Sequence, residues 1–220
     1  MNQPIIHVYL MPGMAASPTI FEHIQLPRDQ FEIHLLEWKI PYKSESLQDY
    51  AKRMCTEIRS HPCVLIGVSF GGVLVQEMSL FINTEKVIII SSVKSKYELP
   101  RRMRMARKTK AYKLIPTQLA GNIEALVRFS FGKTVDKRLA LYQKYLSVND
   151  PAYLDWAIKN MICWDRAEPL PGIIHIHGDN DMVFPIKYID RSMVVKDGTH
   201  VMIINKYRWF NKNLPDLIIR

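Results

Sequence analysis

The run Val64-Leu65-Ile66-Gly67-Val68-Ser69-Phe70-Gly71-Gly72 constrains this chain more than any other segment. Apolar and β-branched residues end abruptly in Gly-x-Ser-x-Gly, and a helix-period pattern (Val73, Leu74, Met78, Leu80, Phe81) begins at once. A buried strand that turns directly into a helix is the repeating unit of parallel sheets. In that context the motif predicts a nucleophile elbow, with the serine forced into a strained turn and its hydroxyl projecting beyond the sheet. The flanking glycines leave room for the chain to fold back, and the helix that follows turns its first N–H groups toward the hydroxyl. The competing reading is a glycine-rich strand-to-helix turn with an idle serine.

The rest of the chain repeats the strand–helix alternation. Strands are expected at 5–10, 31–38, 63–68, 86–93, 172–177 and 192–196. Helices are expected around Pro18 to Ile24 with Ser17 as cap, from Ser46 to Arg59, after Ser69, and from Val201 to Asn213. Residues 94–168 break the pattern with helical periodicity and Pro100, Pro116 and Pro151 as punctuation. The expected architecture is α/β: a mostly parallel, doubly covered sheet of about six strands. It forms one domain over 1–220, with a core of 1–93 and 169–220 and a helical lid insertion at 94–168. No apolar run reaches membrane-spanning length, so no transmembrane segment is expected. The chain enters a strand almost at once, and its three cysteines (Cys55, Cys63, Cys163) are an odd number that fits no zinc spacing. Both features point to reduced thiols and a cytoplasmic protein.

A serine hydroxyl needs a base, and the base needs an orienting partner. His177-Gly178-Asp179-Asn180-Asp181 follows the fifth strand, and Lys196-Asp197-Gly198-Thr199-His200 follows the sixth. Both segments fall at the carboxyl ends of strands, where open α/β sheets gather functional groups. The order Ser69, Asp181, His200 is the one this architecture uses. With the elbow at Gly67 to Gly71, the Gly178-x-x-Asp181-x-x-x-Pro185 loop and Gly198-Thr199-His200, nearly the whole chain resembles the α/β-hydrolase superfamily. The form is a small one without the first two antiparallel strands. The resemblance implies Ser69 as nucleophile, His200 as general base and then acid, and Asp181 as orienter, with Asp179 the runner-up carboxylate. It also implies an oxyanion hole from the backbone N–H groups of Phe70 and Met14. Pro12 stands where relatives often carry a histidine that braces that loop. Relatives that attack with a carboxylate are excluded by serine at the elbow, and the resemblance implies no metal or cofactor. His7, His34, His175 and His177 fall in or beside strands and read as packed or hydrogen-bonded, while His23 and His61 read as loop residues.

Substrate contacts are expected from Trp38, Phe129, Trp156 and Trp164, among further apolar lid residues that mostly serve packing. An apolar pocket favours a small-molecule acyl substrate. The formal net charge of +9 is concentrated in 94–113, where nine Lys and Arg residues meet only Glu98. That run reads first as a solvated helix face. It reads second as a docking surface for an acidic or phosphorylated acyl carrier, such as coenzyme A or an acyl carrier protein. Nucleic acid or an anionic membrane comes last, since no stacking series or nucleic-acid motif accompanies the charge. Together these features predict a serine hydrolase that cleaves a carboxylic ester or thioester through an acyl-enzyme on Ser69. The alternatives are a triad-dependent lyase or C–C bond hydrolase, or a non-enzymatic small-molecule receptor.

Overall fold

A computed structural model of the chain describes residues 4–115 and 144–220. Six strands form one sheet: β1 (Ile6–Met11), β2 (Phe31–Leu35), β3 (Cys63–Val68), β4 (Thr84–Ile90), β5 (Ile174–Gly178) and β6 (Met193–Val195). Their order is β2-β1-β3-β4-β5-β6, and every pairing is parallel. Parallel strands need crossovers that cover both faces. The period-2 alternation of side chains accordingly divides the core into two layers. Tyr9, Met11, Leu65 and Ile89 point into one, with helices α1 (Leu47–Met54) and α2 (Phe70–Met78) packed on them. Val8, Leu10, Val64, Ile66, Ile88 and Ile90 point into the other, covered by the turn Pro18–Phe21, the short helix α5 (Met202–Asn205) and α6 (Tyr207–Ile219). The central strand β3 is buried at all six positions.

Between β4 and β5 the described residues hold α3 (Arg101–Thr109) and α4 (Pro151–Cys163), and no strand. Asp150 caps α4 by accepting from the Tyr153 amide at 2.9 Å, with Pro151 in the first turn. Among the described residues no helix is long and apolar enough to cross a membrane. Several boundaries differ from the sequence expectations, each for a physical reason. The helix expected from Pro18 is a single 3-10 turn. The helix expected over 46–59 begins at the Ser46 cap, whose hydroxyl accepts from the Asp49 amide at 3.0 Å. It tightens to 3-10 geometry at Cys55–Glu57. Strand β4 stops at Ile90 because Ser91 takes φ 49°. The last helix is broken at Lys206 but runs on through Pro215 to Ile219. A proline inside a helix costs about 3 kcal/mol. Here the burial of Leu214, Leu217 and Ile218 offsets it.

One buried ion pair ties the end of α4 to the sheet's covering helix. Glu77 of α2 is 4% exposed. Its Oε1 accepts from Trp164 Nε1 at 2.9 Å and from Arg166 Nη2 at 2.9 Å. Glu77→Ala leaves both donors without their charged acceptor, and hydrogen bonds to charged groups are worth about 1.5–3 kcal/mol. Urea unfolding of the variant should show a loss of that size. A change below about 0.5 kcal/mol, the range of an ordinary surface substitution, would show that the pair does not anchor α4.

Candidate active site

Ser69 lies between β3 and α2 with φ 53° and ψ −121°, a conformation that costs an L residue about 1–3 kcal/mol. Two hydrogen bonds hold it there. Its amide donates to Ile90 O at 2.9 Å, and Ser92 Oγ donates to its carbonyl at 2.7 Å. Close backbone approach fixes the flanking residue types. A Cβ on Gly67 would lie 2.3 Å from Gly71 O, and one on Gly71 would lie 2.3 Å from Pro12 O. The second contact presses the elbow against the Pro12-Gly13-Met14 loop that leaves β1.

The loops after β5 and β6 meet over this serine. His200 Nε2 is 3.0 Å from Ser69 Oγ, and His200 Nδ1 is 2.9 Å from Asp181 Oδ2. Asp181 Oδ1 accepts from the amides of Val183 at 2.8 Å and Phe184 at 2.9 Å. With both carboxylate oxygens engaged, His200 holds its proton on Nδ1 and offers the Nε2 lone pair to the serine hydroxyl. Burial pushes the Asp181 carboxyl up, but its interactions with His200, with His177 and with the Phe184 amide together outweigh it. The net shift is downward, so the carboxylate stays ionised. Asp179, two residues earlier, is exposed in the turn.

Behind Asp181 sits an imidazole pair, His175 and His177, read from the sequence as packed or hydrogen-bonded. His177 Nε2 donates to Phe184 O at 2.8 Å and lies 3.6 Å from Asp181 Oδ2. His177 Nδ1 therefore accepts from His175 Nε2, 3.1 Å away. Burial, His177 and the nearby Lys94 ammonium push the His175 imidazole down to about 2, and burial also lowers His177. Both rings are neutral at neutral pH. The alternating His-x-His at the end of a buried strand was the signal available for this pair, since period 2 sends both rings to one face.

Ser69 and His200 open into a cavity of about 730 Å³. Met14, Phe70 and Phe184 line it beside the serine, Met103 and Ala106 of α3 from above, and Leu154, Ile158 and Met161 from α4. The lining is almost entirely apolar; Arg102, at its rim, donates to Met182 O and Val183 O. Met14 and Phe70 thus flank the serine. Among the described residues neither amide has a hydrogen-bond acceptor, and Phe70 opens α2, where helix amides have none within the helix.

The tryptophans proposed for substrate contact do not line this cavity. Trp38 stacks on Phe70 (centroids 5.2 Å, 9° between planes) and donates to Gly13 O at 2.8 Å. Trp156 donates to Glu45 O at 2.8 Å, and Trp164 is held by Glu77. A buried indole N–H needs an acceptor, and each finds it behind the cavity wall. Phe129 lies outside the described residues. The basic run is not one solvated face either. Lys94 is buried, with Nζ donating to the carbonyls of Asp190 and Arg191 and 3.5 Å from Glu98. Lys96 and Arg107 both pair with Asp165. Arg101, Arg104, Lys108, Lys110 and Lys113 remain exposed.

No protein-family model matches the chain, and no curated protein matches it. Solved structures do. A bromoperoxidase from Bacillus anthracis superposes with a TM-score of 0.74 at 15% identity, covering 100% of this chain and 94% of its own. An esterase from Exiguobacterium antarcticum gives 0.70 at 17% identity, covering 100% and 94%. An epoxide hydrolase from Bacillus megaterium gives 0.70 at 12% identity, covering 100% and 95%. These likenesses, with the sheet order and the elbow, show that the chain has the α/β-hydrolase fold.

The neutral His175 makes stability depend on pH. Its imidazole titrates near 6.5 when unfolded and about 2 when folded, so between those values the unfolded chain binds the extra proton. Stability therefore falls as pH drops below 6.5, by about 1.4 kcal/mol per unit. From pH 6.5 to 5 the loss from this residue is about 2 kcal/mol, and His177 adds in the same direction. The urea midpoint of the protein should fall over that interval, and His175→Gln should flatten the dependence. An equally steep fall in the variant would assign the titration elsewhere.

Proposed function

We propose that the protein is a serine hydrolase that cleaves the carboxylic ester or thioester of an apolar acyl group. The observation that carries this reading is the hydrogen-bonded chain Ser69–His200–Asp181, with Ser69 and His200 lining an apolar cavity. In the first half-reaction His200 Nε2 takes the hydroxyl proton as Ser69 Oγ bonds to the acyl carbon. The tetrahedral intermediate then collapses, the bond to the leaving oxygen or sulfur breaks, and His200 returns the proton to that atom. In the second half a water gives its proton to His200, adds to the acyl-enzyme, and releases the carboxylic acid with Ser69 restored. Asp181 stays ionised throughout and balances the imidazolium. The amides of Phe70 and Met14 stabilise the charge on the acyl oxygen; losing one such donor costs about 10²–10³ in kcat. In this reading 1–220 is one domain, and residues 94–168 form its lid. Its thiols (Cys55, Cys63 and Cys163 are all free) suit a reducing, cytoplasmic setting.

The exposed charge on α3 favours a thioester as one substrate type. Arg101, Arg104 and Lys108 rise from the same helix whose Met103 and Ala106 line the cavity. They suit a phosphorylated acyl carrier docked at the mouth, with attraction that salt weakens. Arg104→Glu with Lys108→Glu should raise KM for an acyl-coenzyme A thioester several-fold and leave a p-nitrophenyl ester unaffected. Equal behaviour of both substrates would remove the carrier from the proposal.

The hydrolase reading itself is tested with a fluorophosphonate, which bonds to an activated serine and releases fluoride. Intact mass and peptide mapping should place one adduct on Ser69, and Ser69→Ala should abolish both the adduct and ester turnover. Asp181→Asn should lower kcat by about 10⁴. Asp179→Asn should leave it nearly unchanged. Labelling without turnover of esters or thioesters would turn the assignment to lyase or C–C chemistry. An unlabelled, folded protein that binds small apolar ligands would make it a receptor.

A further inference from the structure

We propose that His7, Glu32 and His34 form a binding site for one divalent zinc-class metal ion on the open edge of the sheet. The residues come from two paired strands. In the β1–β2 register His7 stands opposite Glu32, and Tyr9 opposite His34, so all three side chains leave the same face. The sequence gives no cluster because the ligands are brought together by strand pairing, with His7 and Glu32 on separate strands.

The donor atoms converge. His7 Nδ1 is 2.9 Å from His34 Nε2 and 3.4 Å from Glu32 Oε2, and His34 Nε2 is 3.8 Å from Glu32 Oε1. Zinc holds nitrogen and carboxylate ligands at about 2.0–2.2 Å in a tetrahedron, which sets neighbouring donors about 3.3 Å apart. The observed edges bracket that spacing. A metal displaced from the line between the two imidazoles toward the carboxylate needs the nitrogens to part by only about 0.4 Å. Two imidazoles and one carboxylate suit a borderline ion such as zinc better than calcium or magnesium, which take oxygen ligands. The side chains of His7 and His34 are 27% and 29% exposed and that of Glu32 is 55%. Solvent can therefore deliver the ion and supply a fourth ligand.

The surroundings hold the ligands in place. The His34 ring stacks on Tyr9 with centroids 4.4 Å apart and 16° between planes. Tyr9 Oη is itself fixed by the amides of Arg59 at 3.0 Å and Ser60 at 3.2 Å. Burial chiefly lowers the His34 imidazole, with His7 and Arg59 acting the same way and Glu32 opposing. Without metal, one imidazole N–H donates to the other ring. With metal, that proton moves to the far nitrogen of the same ring, so both facing nitrogens offer lone pairs and each imidazole keeps one N–H. The Arg59 charge works against a cation, while Glu32 supplies the negative charge that favours one. The site lies near the amino end of β1, whereas Ser69 lies at the carboxyl end of β3. It ties the edge strand β2 to β1 and takes no part in acyl transfer.

The protein, stripped with chelator, would be titrated calorimetrically with zinc chloride. One ion per chain is expected. Glu32→Gln, an exposed substitution that keeps the fold, should weaken binding at least tenfold, and His34→Ala should abolish it. A hundredfold excess of free zinc over Kd should raise Tm by about 5–10 °C in the parent and not in His34→Ala. Fluorophosphonate labelling of Ser69 should proceed at the parent rate in Glu32→Gln, which separates this site from the acyl-transfer reading. No saturable zinc binding, or binding that neither substitution weakens, would overturn the proposal.

Discussion

An L residue at φ 53° gains nothing from that conformation by itself, so the turn at Ser69 must be held from outside. The strands on either side do this. Ile90 at the end of β4 takes the serine amide, Ser92 just beyond it caps the serine carbonyl, and Gly71 lets the β1 loop come within backbone contact. These contacts exist only when β1, β3 and β4 are adjacent and in register. The same register sets the loop bearing Met14 beside Ser69 and starts α2 at Phe70. The strain is thus small beside the cooperative energy of the sheet, and it fixes where the hydroxyl and the two amides stand relative to one another.

Asp181 divides two histidines into different roles. His177 spends its Nε2 proton on the Phe184 carbonyl and its Nδ1 lone pair on His175, so neither nitrogen is left to move a proton. His200 meets Asp181 through Nδ1 and Ser69 Oγ through Nε2. A buried carboxylate faced by two imidazoles can stabilise positive charge on either, but the second ring is far more desolvated. His177 is fully enclosed, whereas His200 borders the cavity. The inner pair shapes the field and fixes the Phe184 loop, at the expense of stability in acid.

Much of this was legible because it is local. The elbow, the strand alternation and the two carboxyl-end loops each announce themselves within about ten residues, and their order along the chain resembles that of the fold. What sequence reading missed depends on tertiary direction. Trp38, Trp156 and Trp164 have the composition of pocket residues, but an indole N–H is satisfied only by one particular neighbour, and periodicity does not show which. The basic run reads as a uniform patch, yet Lys94 turns inward to two carbonyls while Met103 and Ala106 turn down to the cavity. A 3.6-residue period was present there, obscured by the charge on either side of it. The acidic partner Asp165 lies far along the chain and gives no local sign.

The edge strand links the two ends of the sheet. Among the described residues β2 pairs only with β1, and edge strands open more readily than central ones. Yet the chain that continues from β2 carries Trp38, whose indole both donates to Gly13 O and stacks on Phe70. Gly13 sits one residue before Met14, and its backbone passes against Ser69, since an added Cβ there would lie 3.4 Å from Ser69 Cβ. The Gly13 loop is therefore braced by a tryptophan carried just beyond the edge strand. Opening of β2 would release Trp38, then the Gly13 carbonyl, and with it the amide of Met14. A contact that clamps β2 to β1 acts on that opening. It would lengthen the time that Trp38 spends against Gly13 and Phe70.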